Sequence, residues 1–190
     1  TAFLKCHYPK EYMAALLTSV LENTDKMIAY VGECQKMGLR ILPPNINESE
    51  LGFSVTQEGI RFGLLAIKNV GRGFIQQLLA QRKTEGAYED LSSFCERLNG
   101  KDLNKRTVES LIRSGAMDCL PHNRRQMLAS YEKILESANS NNRNTVEGQL
   151  DLFHIGNIEK PKYSMPNLQE FSPDELLAME KETVGLFISA

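Results

Sequence analysis

The sequence has no stretch that could anchor it in a membrane or direct it for export. None of its apolar runs approaches the roughly 18 consecutive apolar residues that a membrane-spanning helix needs. The N-terminus also lacks the basic segment followed by an apolar segment that marks a signal peptide. We therefore expect a cytoplasmic protein without a membrane partner. Because the chain begins with Thr1 rather than with Met, we expect a fragment or a processed chain.

The sequence also lacks the residue patterns of metal, nucleotide and catalytic sites. Its four cysteines form no CxxC pair and have no histidine at ligand spacing, so we predict reduced thiols and no metal site. No GxxxxGKS/T segment is present, which excludes a P-loop. Acidic residues fall at predicted helix starts and in surface-like segments rather than in convergent pairs. We therefore predict no two-metal site, no cofactor and no catalytic residue in this chain. The cysteines are Cys6, Cys34, Cys95 and Cys119.

One stretch, Ile67–Gly73, carries a pattern that is typical of nucleic-acid binding. It lies between two apolar runs, which predicts two helices joined by a tight glycine turn, a helix-hairpin-helix unit. Glycine allows the positive φ of such a turn, and the N–H groups at the start of the second helix can bind an anion. The formal net charge of −2 hides a basic window at residues 61–83, which contains no acidic residue. Its basic residues are Arg61, Lys68, Arg72, Arg82 and Lys83.

These features predict a contact with the DNA backbone in the first turn. We expect the amides around Gly71, Arg72 and Gly73 to bind one phosphate, with charge from Lys68 and Arg72. Val70 should fix the turn by packing inward. The predicted DNA-binding residues of this unit are Lys68, Asn69, Val70, Gly71, Arg72 and Gly73.

A second unit of the same plan follows about 35 residues later, an internal repeat in organisation rather than in identity. A helix that ends near Leu98 is broken by Asn99–Asp102, and Asn104 can cap a helix over 105–114. Lys101 adds a further basic residue to this turn. The unit has no GxG, so we expect charge from its side chains rather than a backbone anion site. Its predicted DNA-binding residues are Asn104, Lys105 and Arg106.

The rest of the pattern predicts a mainly α fold with one small sheet. Apolar stripes and caps indicate helices over 9–21, 24–37 and 124–138, and a final helix that opens at Ser172. Alternating residues over 53–62 indicate a small β-hairpin, with a short strand candidate before it. We predict a helical segment with this sheet at 1–60, a tandem helix-hairpin-helix domain at 61–138, a flexible linker at 139–171 and a helix at 172–190.

Several segments match a known family in combination and in order. They are Thr1–Pro9 with Met13–Leu17, Gly38–Asn47, Ile60–Leu64, Ala66–Gly71, Leu103–Arg106 with Leu111–Asp118, and Glu180–Ser189. Together they resemble the bacterial replicative DNA polymerases of the C family, the DNA polymerase III alpha subunits. The resemblance covers the chain apart from the Asn-rich linker.

The resemblance implies what the parts of the chain do. Residues 1–60 would be the C-terminal part of the polymerase fingers, and the hairpin domain would grip duplex DNA behind the active site. The last helix would lead to an OB-fold domain. The family's catalytic aspartates lie in an upstream palm domain that nothing here matches, so the chain alone should not polymerise. Magnesium and partners such as the sliding clamp are implied for the parent DNA-directed DNA polymerase. The generic hairpin has glycine where this chain has Asn69, and we expect the turn to survive because asparagine tolerates left-handed geometry.

Two other classes of function stay open at this stage. A helix-hairpin-helix DNA glycosylase would need a catalytic Asp or Lys after the hairpin, and Asp90 is the candidate. A protein–protein adaptor would use the acidic C-terminal part and the apolar patch Leu150–Phe153.

Overall fold

The computed structural model describes residues 2–21, 23–100, 102–146 and 164–188 and confirms a mainly α fold. A short 3-10 helix at Leu64–Ala66 precedes α4. Within the described ranges no helix is both long enough and apolar enough to cross a membrane. The elements are α1 Ala2–His7, α2 Pro9–Ser19, α3 Thr24–Lys36, β1 Ile41–Leu42, β2 Ser54–Val55, β3 Ile60–Arg61, α4 Arg72–Glu85, α5 Leu91–Arg97, α6 Lys105–Arg113, α7 Arg124–Val146 and α8 Pro173–Val184.

Local signals at the chain's N-terminal end act as predicted. Pro9 occupies the first turn of α2, where its missing N–H costs nothing. Asn23 caps α3, since its side-chain oxygen accepts a hydrogen bond from the Lys26 N–H at 3.0 Å. Gly38 follows α3 with a φ of +71°. Helix α1 is an additional element that the sequence pattern did not indicate.

The small sheet has three strands in the order β1-β3-β2. The predicted hairpin is confirmed, because β2 pairs antiparallel with β3. Strand β1 joins the other side of β3 in parallel, with Ile41 opposite Ile60. Gly59 is required at this junction, because a Cβ there would lie 2.3 Å from the carbonyl oxygen of Arg40.

A continuous apolar core joins the parts of the chain. It extends from Met13 on α2 through Phe62 and Phe94 to Leu135 on α7, and Val184 on α8 is part of it. All four cysteines are free thiols. The predicted domain boundaries stay predictions, because a shared core does not by itself locate a boundary.

Helix α7 is longer than predicted. The sequence pattern ends it at Ala138, whereas the helix continues to Val146, through the first eight residues of the predicted linker. Ala138, where the predicted helix ends, is buried, and its carbonyl accepts a hydrogen bond from the Asn99 side chain. Residues 147–163, which include the patch Leu150–Phe153, lie outside the described residues.

The C-terminal helix α8 packs back onto the hairpin units. Its start is the predicted one: Ser172 and Glu175 form a capping box, with Pro173 in the first turn. On α8, Glu180 is buried and accepts a hydrogen bond from the Arg124 guanidinium at 3.0 Å. The helix ends at Val184 and is followed by Gly185, which has a φ of +87°.

Candidate nucleic-acid interface

The first unit consists of a single 3-10 turn, a tight turn and the long helix α4. The predicted helix before the turn is wrong in type, because Leu64–Ala66 forms only a 3-10 turn. Strand β3 ends at Arg61, so few residues remain before the turn. The N–H of Leu64 is also bonded to the Glu50 carbonyl at 3.0 Å.

The left-handed residue of the turn is Asn69 rather than a glycine. Its φ is +63°, and no other non-glycine residue in the described part has a positive φ. The expectation that the turn survives asparagine is therefore confirmed, whereas the positive φ predicted for glycine is wrong. The Asn69 side chain donates to Ser110 Oγ at 3.1 Å, and the Thr107 hydroxyl donates to the Asn69 carbonyl at 3.0 Å. Asn69 thus connects the first turn to α6, while Val70 packs inward as predicted and is 4% exposed.

The two glycines of the first turn are not explained by the chain's own packing. Gly71 has a φ of −79°, and a Cβ built on it meets nothing within 4 Å. A Cβ on Gly73 would meet only Asp102 Oδ2, at an ordinary 3.6 Å. Both residues are exposed, so the missing side chains leave room for another molecule to approach the backbone.

The start of α4 is uncapped. Gly71 provides no side-chain cap, and in the described part of the chain the N–H groups of Gly71, Arg72 and Gly73 have no hydrogen-bond partner. Free N–H groups at the positive end of a helix are an anion site. The geometry therefore allows the oxygens of one phosphate to accept hydrogen bonds from these N–H groups.

Two of the five basic residues in the predicted basic window form contacts that stabilise the fold and contribute little to the positive charge of the surface. Arg61 pairs with Glu48 and donates to a neighbouring carbonyl. Arg82 donates to the carbonyls of Ile46 and Ser49 and pairs with Glu50 at 2.7 Å. The positive field of the window is weaker than its sequence suggests, because these charges are neutralised within the chain.

The other three basic residues are exposed. Lys68 donates its N–H to the Thr183 carbonyl at 2.9 Å and its Nζ to the Glu182 carbonyl at 2.8 Å. Arg72 and Lys83 form no ion pair within the described residues. Arg72 is also the first residue of α4, so its own N–H is one of the free amides.

The second unit differs at the equivalent position, the start of α6. The side-chain oxygen of Asn104 accepts a hydrogen bond from the Thr107 N–H at 3.0 Å. Lys105 Nζ lies 2.8 Å from Glu132 and 3.1 Å from Glu136. The hydrogen bond to Glu132, followed by that to Glu136, raises the pKa of Lys105 above its ordinary value. The same contact lowers the pKa of Glu132.

The residues predicted in this second turn therefore have different environments. Asn104 is a helix cap and Lys105 is paired with α7. Arg106 is exposed and has no ion pair in the described part of the chain. Lys101 lies outside the described residues.

The two units contact each other, and their turns are adjacent. Besides the contacts of Asn69 with α6, Asp102 in the second turn lies beside Gly73 and accepts a hydrogen bond from Gln77 at 3.4 Å. The start of α4 and the second turn therefore face the same region of solvent. Sequence reasoning missed the role of Thr107, although its position three residues after the Asn104 cap is a usable signal.

Asp90, the acid that a glycosylase would use, has a structural role. Asp90 caps α5, and its side chain accepts a hydrogen bond from the Ser93 N–H at 2.7 Å. Among the described residues no three His, Cys, Asp or Glu side chains converge where a metal ion could bind.

Comparisons with known proteins identify a helix-hairpin-helix motif in the chain and relatives along its whole length. A helix-hairpin-helix motif family matches residues 38–127, which include the small sheet as well as both units. Proteins named DNA polymerase III subunit alpha align with the whole chain. They include those of Deinococcus radiodurans at 40% identity, Saccharopolyspora erythraea at 39% and Pasteurella multocida at 39%. The chain spans 14%, 16% and 17% of these relatives, respectively.

Proposed function

The chain is homologous along its whole length to one segment of DNA polymerase III alpha subunits, and on that premise we propose that it binds the backbone of duplex DNA without reading base sequence. The first turn makes the main contact, with phosphate at the amides of Gly71, Arg72 and Gly73 and the Arg72 side chain beside it. The second turn adds the charge of Arg106. Phosphate contacts of this kind position a duplex and carry no sequence information.

One observation supports this proposal above the others. Helix α4 begins with an exposed, uncapped turn in which neither glycine is required by the fold. An uncapped helix start lowers stability relative to one with a Ser, Thr, Asp or Asn cap. A phosphate bound there would supply the missing hydrogen bonds and complement the helix dipole.

The parent protein is proposed to be a DNA-directed DNA polymerase that acts in replication in the bacterial cytoplasm. Its catalytic aspartates and magnesium would lie in a palm domain outside this chain. The chain would hold the duplex that leaves the active site and would be inactive alone. Contacts with replisome partners such as the sliding clamp would be made through the parent protein.

The experiment is a titration of the 190-residue chain with two labelled duplexes of unrelated sequence at several salt concentrations. We expect equal affinities for both duplexes and a linear fall of log K with log salt. Arg72→Gln should flatten the slope by about 0.9, the value for one lost phosphate contact. Lys83→Gln, which removes the same charge from the other end of α4, should change the slope less. Absence of binding, binding that ignores salt, or a strong preference for one duplex would refute the proposal.

The other two classes of function have no observation in their favour. A glycosylase would need a free acid, and the Asp90 side chain is engaged as a helix cap. The patch that an adaptor would use lies outside the described residues.

A further inference from the structure

Lys68 forms the contact between the first turn and the C-terminal helix. Its N–H and Nζ donate to two successive carbonyls, those of Thr183 at 2.9 Å and Glu182 at 2.8 Å. Both carbonyls belong to the last turn of α8, where no helical N–H can reach them. A cation also interacts favourably with the negative end of the helix dipole. The Lys68 side chain is therefore engaged with α8 rather than directed toward an external phosphate.

Helix α8 is held in place by contacts that do not involve Lys68. Glu180 is 2% exposed and accepts hydrogen bonds from Arg124 and from the Ile188 N–H at 3.1 Å. The Glu182 carboxylate pairs with Arg113 on α6. Because these anchors lie on the second unit and beyond it, α8 provides a fixed support for the first turn.

The end of α8 is also in close contact with α3. Gly185 has a φ of +87°, and a Cβ there would lie 2.6 Å from the Thr24 side chain. A larger residue at this position would have to displace either α8 or the start of α3.

The support from α8 acts directly before the phosphate-binding amides. Lys68 is fixed to α8, and the next residue, Asn69, is fixed to α6 through Ser110 and Thr107. Val70 is buried in the core. The three residues before Gly71 are thus anchored to three different parts of the molecule. These anchors fix the direction of the Gly71 N–H.

We propose that Lys68 is a positioning residue and that α8 is a strap that holds the first turn in its DNA-binding geometry. This inference rests on the proposed function, because it assigns α8 a role in duplex binding by the same site. It differs from the sequence-based prediction, in which Lys68 contributes charge to the phosphate. The two roles differ in a measurable way: a lost phosphate contact changes the salt dependence of binding, whereas a misplaced turn weakens binding without releasing fewer counterions.

The test uses Gly185→Ala, which changes no charge and lies on the strap. We expect the affinity of the 190-residue chain for duplex DNA to fall about fivefold, in the range found for remote coupling, with an unchanged slope of log K against log salt. Hydrogen exchange at the Lys68 amide, which is bonded to the Thr183 carbonyl of α8, should become faster in the free protein. The matched control is Gly38→Ala, since Gly38 has a similar φ of +71° but a Cβ there would meet nothing within 4 Å. The control should lose stability through the same backbone strain and keep its DNA affinity.

Lys68→Met and Lys68→Arg complete the test. Lys68→Met should weaken binding with much less change of slope than Arg72→Gln, and Lys68→Arg should restore affinity because it can still donate to the Glu182 carbonyl. A slope that falls by about 0.9 in Lys68→Met, as for Arg72→Gln, would overturn the proposal and make Lys68 a phosphate contact. Wild-type affinity in both Gly185→Ala and Lys68→Met would also overturn it while leaving the proposed function intact. If the wild-type chain does not bind duplex DNA, the proposed function and this inference both fail.

Discussion

The starts of α4 and α6 occupy equivalent places in the two hairpin units, but only the start of α6 has a side-chain cap. Helix α6 is capped by Asn104, whose side-chain oxygen accepts a hydrogen bond from the Thr107 N–H. Helix α4 has a glycine at that position, and its first amides are free in the described part of the chain. The comparison shows that one supersecondary plan can have a side-chain cap in one copy and an uncapped helix start in the other, depending on the residue at the capping position.

The basic residues at the two helix starts, Arg72 and Lys105, also differ in whether they have partners within the chain. Arg72 is free of ion pairs in the described part, whereas Lys105, with a side chain that is 48% exposed, is shared by Glu132 and Glu136. Counting basic residues in the sequence treats these two positions as equal. Because Arg72 has no ion-pair partner in the described part, it is a source of positive potential, whereas the two partners of Lys105 make that residue a link between α6 and α7.

Charge reversal at the two starts should give the largest difference. Arg72→Glu is expected to lower the affinity for duplex DNA about thirtyfold at low salt, because it removes a phosphate contact and adds repulsion beside the free amides. Arg106→Glu should lower it only about threefold, through longer-range repulsion. Fluorescence anisotropy titrations measure both values. Equal losses would show that the two units contribute alike.

Gly73→Ala should separate stability from binding. The methyl group meets only an ordinary 3.6 Å contact with Asp102, and alanine favours a helix over glycine by about 0.8–1.0 kcal/mol. We expect the free energy of unfolding to rise by up to about that amount while DNA affinity falls on the order of tenfold, the loss of one charge-assisted hydrogen bond.

Gly32→Ala on α3 is the control for this substitution. A Cβ at Gly32 meets nothing within 4 Å, and this variant should gain stability without losing affinity. Undiminished DNA binding by Gly73→Ala would mean that the phosphate does not approach the α4 backbone. Urea unfolding and anisotropy titration of the same samples provide both readouts.

Asn104→Gly should make the second helix start resemble the first. Replacing a cap by glycine costs only a few tenths of a kcal/mol, and it releases the Thr107 N–H. We expect DNA affinity to stay the same or to rise by about twofold, with a slightly steeper salt dependence. A clear loss of affinity with unchanged stability would instead make the Asn104 side chain a direct DNA contact.

The smallest expected effect concerns the pKa of Glu132. Its hydrogen bond from Lys105 lowers this pKa below the ordinary value of 4.5. The contribution of the pair to stability is therefore present above pH 4.5 and is lost as the pH falls through the lowered pKa. A carboxyl NMR titration should show the Glu132 pKa rising toward its ordinary value in Lys105→Gln. An unchanged pKa would mean that Lys105 is not held by α7 in solution and is available to DNA.

Features set by neighbouring residues could be predicted from the sequence. Ser172 and Asn104 were identified as caps because a capping bond spans only three residues, and Val70 was placed in the core because of its apolar neighbours. Features set by distant residues could not be predicted in this way. The contact of Lys68 with Glu182 joins residues 114 positions apart, and the bond of Lys105 to Glu132 joins residues 27 apart. The parallel pairing of β1 with β3 belongs to the same class, because no local signal specifies a strand's non-adjacent neighbour.

The central claim is that a DNA phosphate binds at the free amides of α4 and not at those of α6. The most direct measurement follows the amide resonances of the chain by NMR while a short duplex is added at low salt. We predict large, saturable shifts for Gly71, Arg72 and Gly73, with small shifts for the capped Thr107 amide. Equal or larger shifts at the start of α6, or none at the start of α4, would contradict the claim.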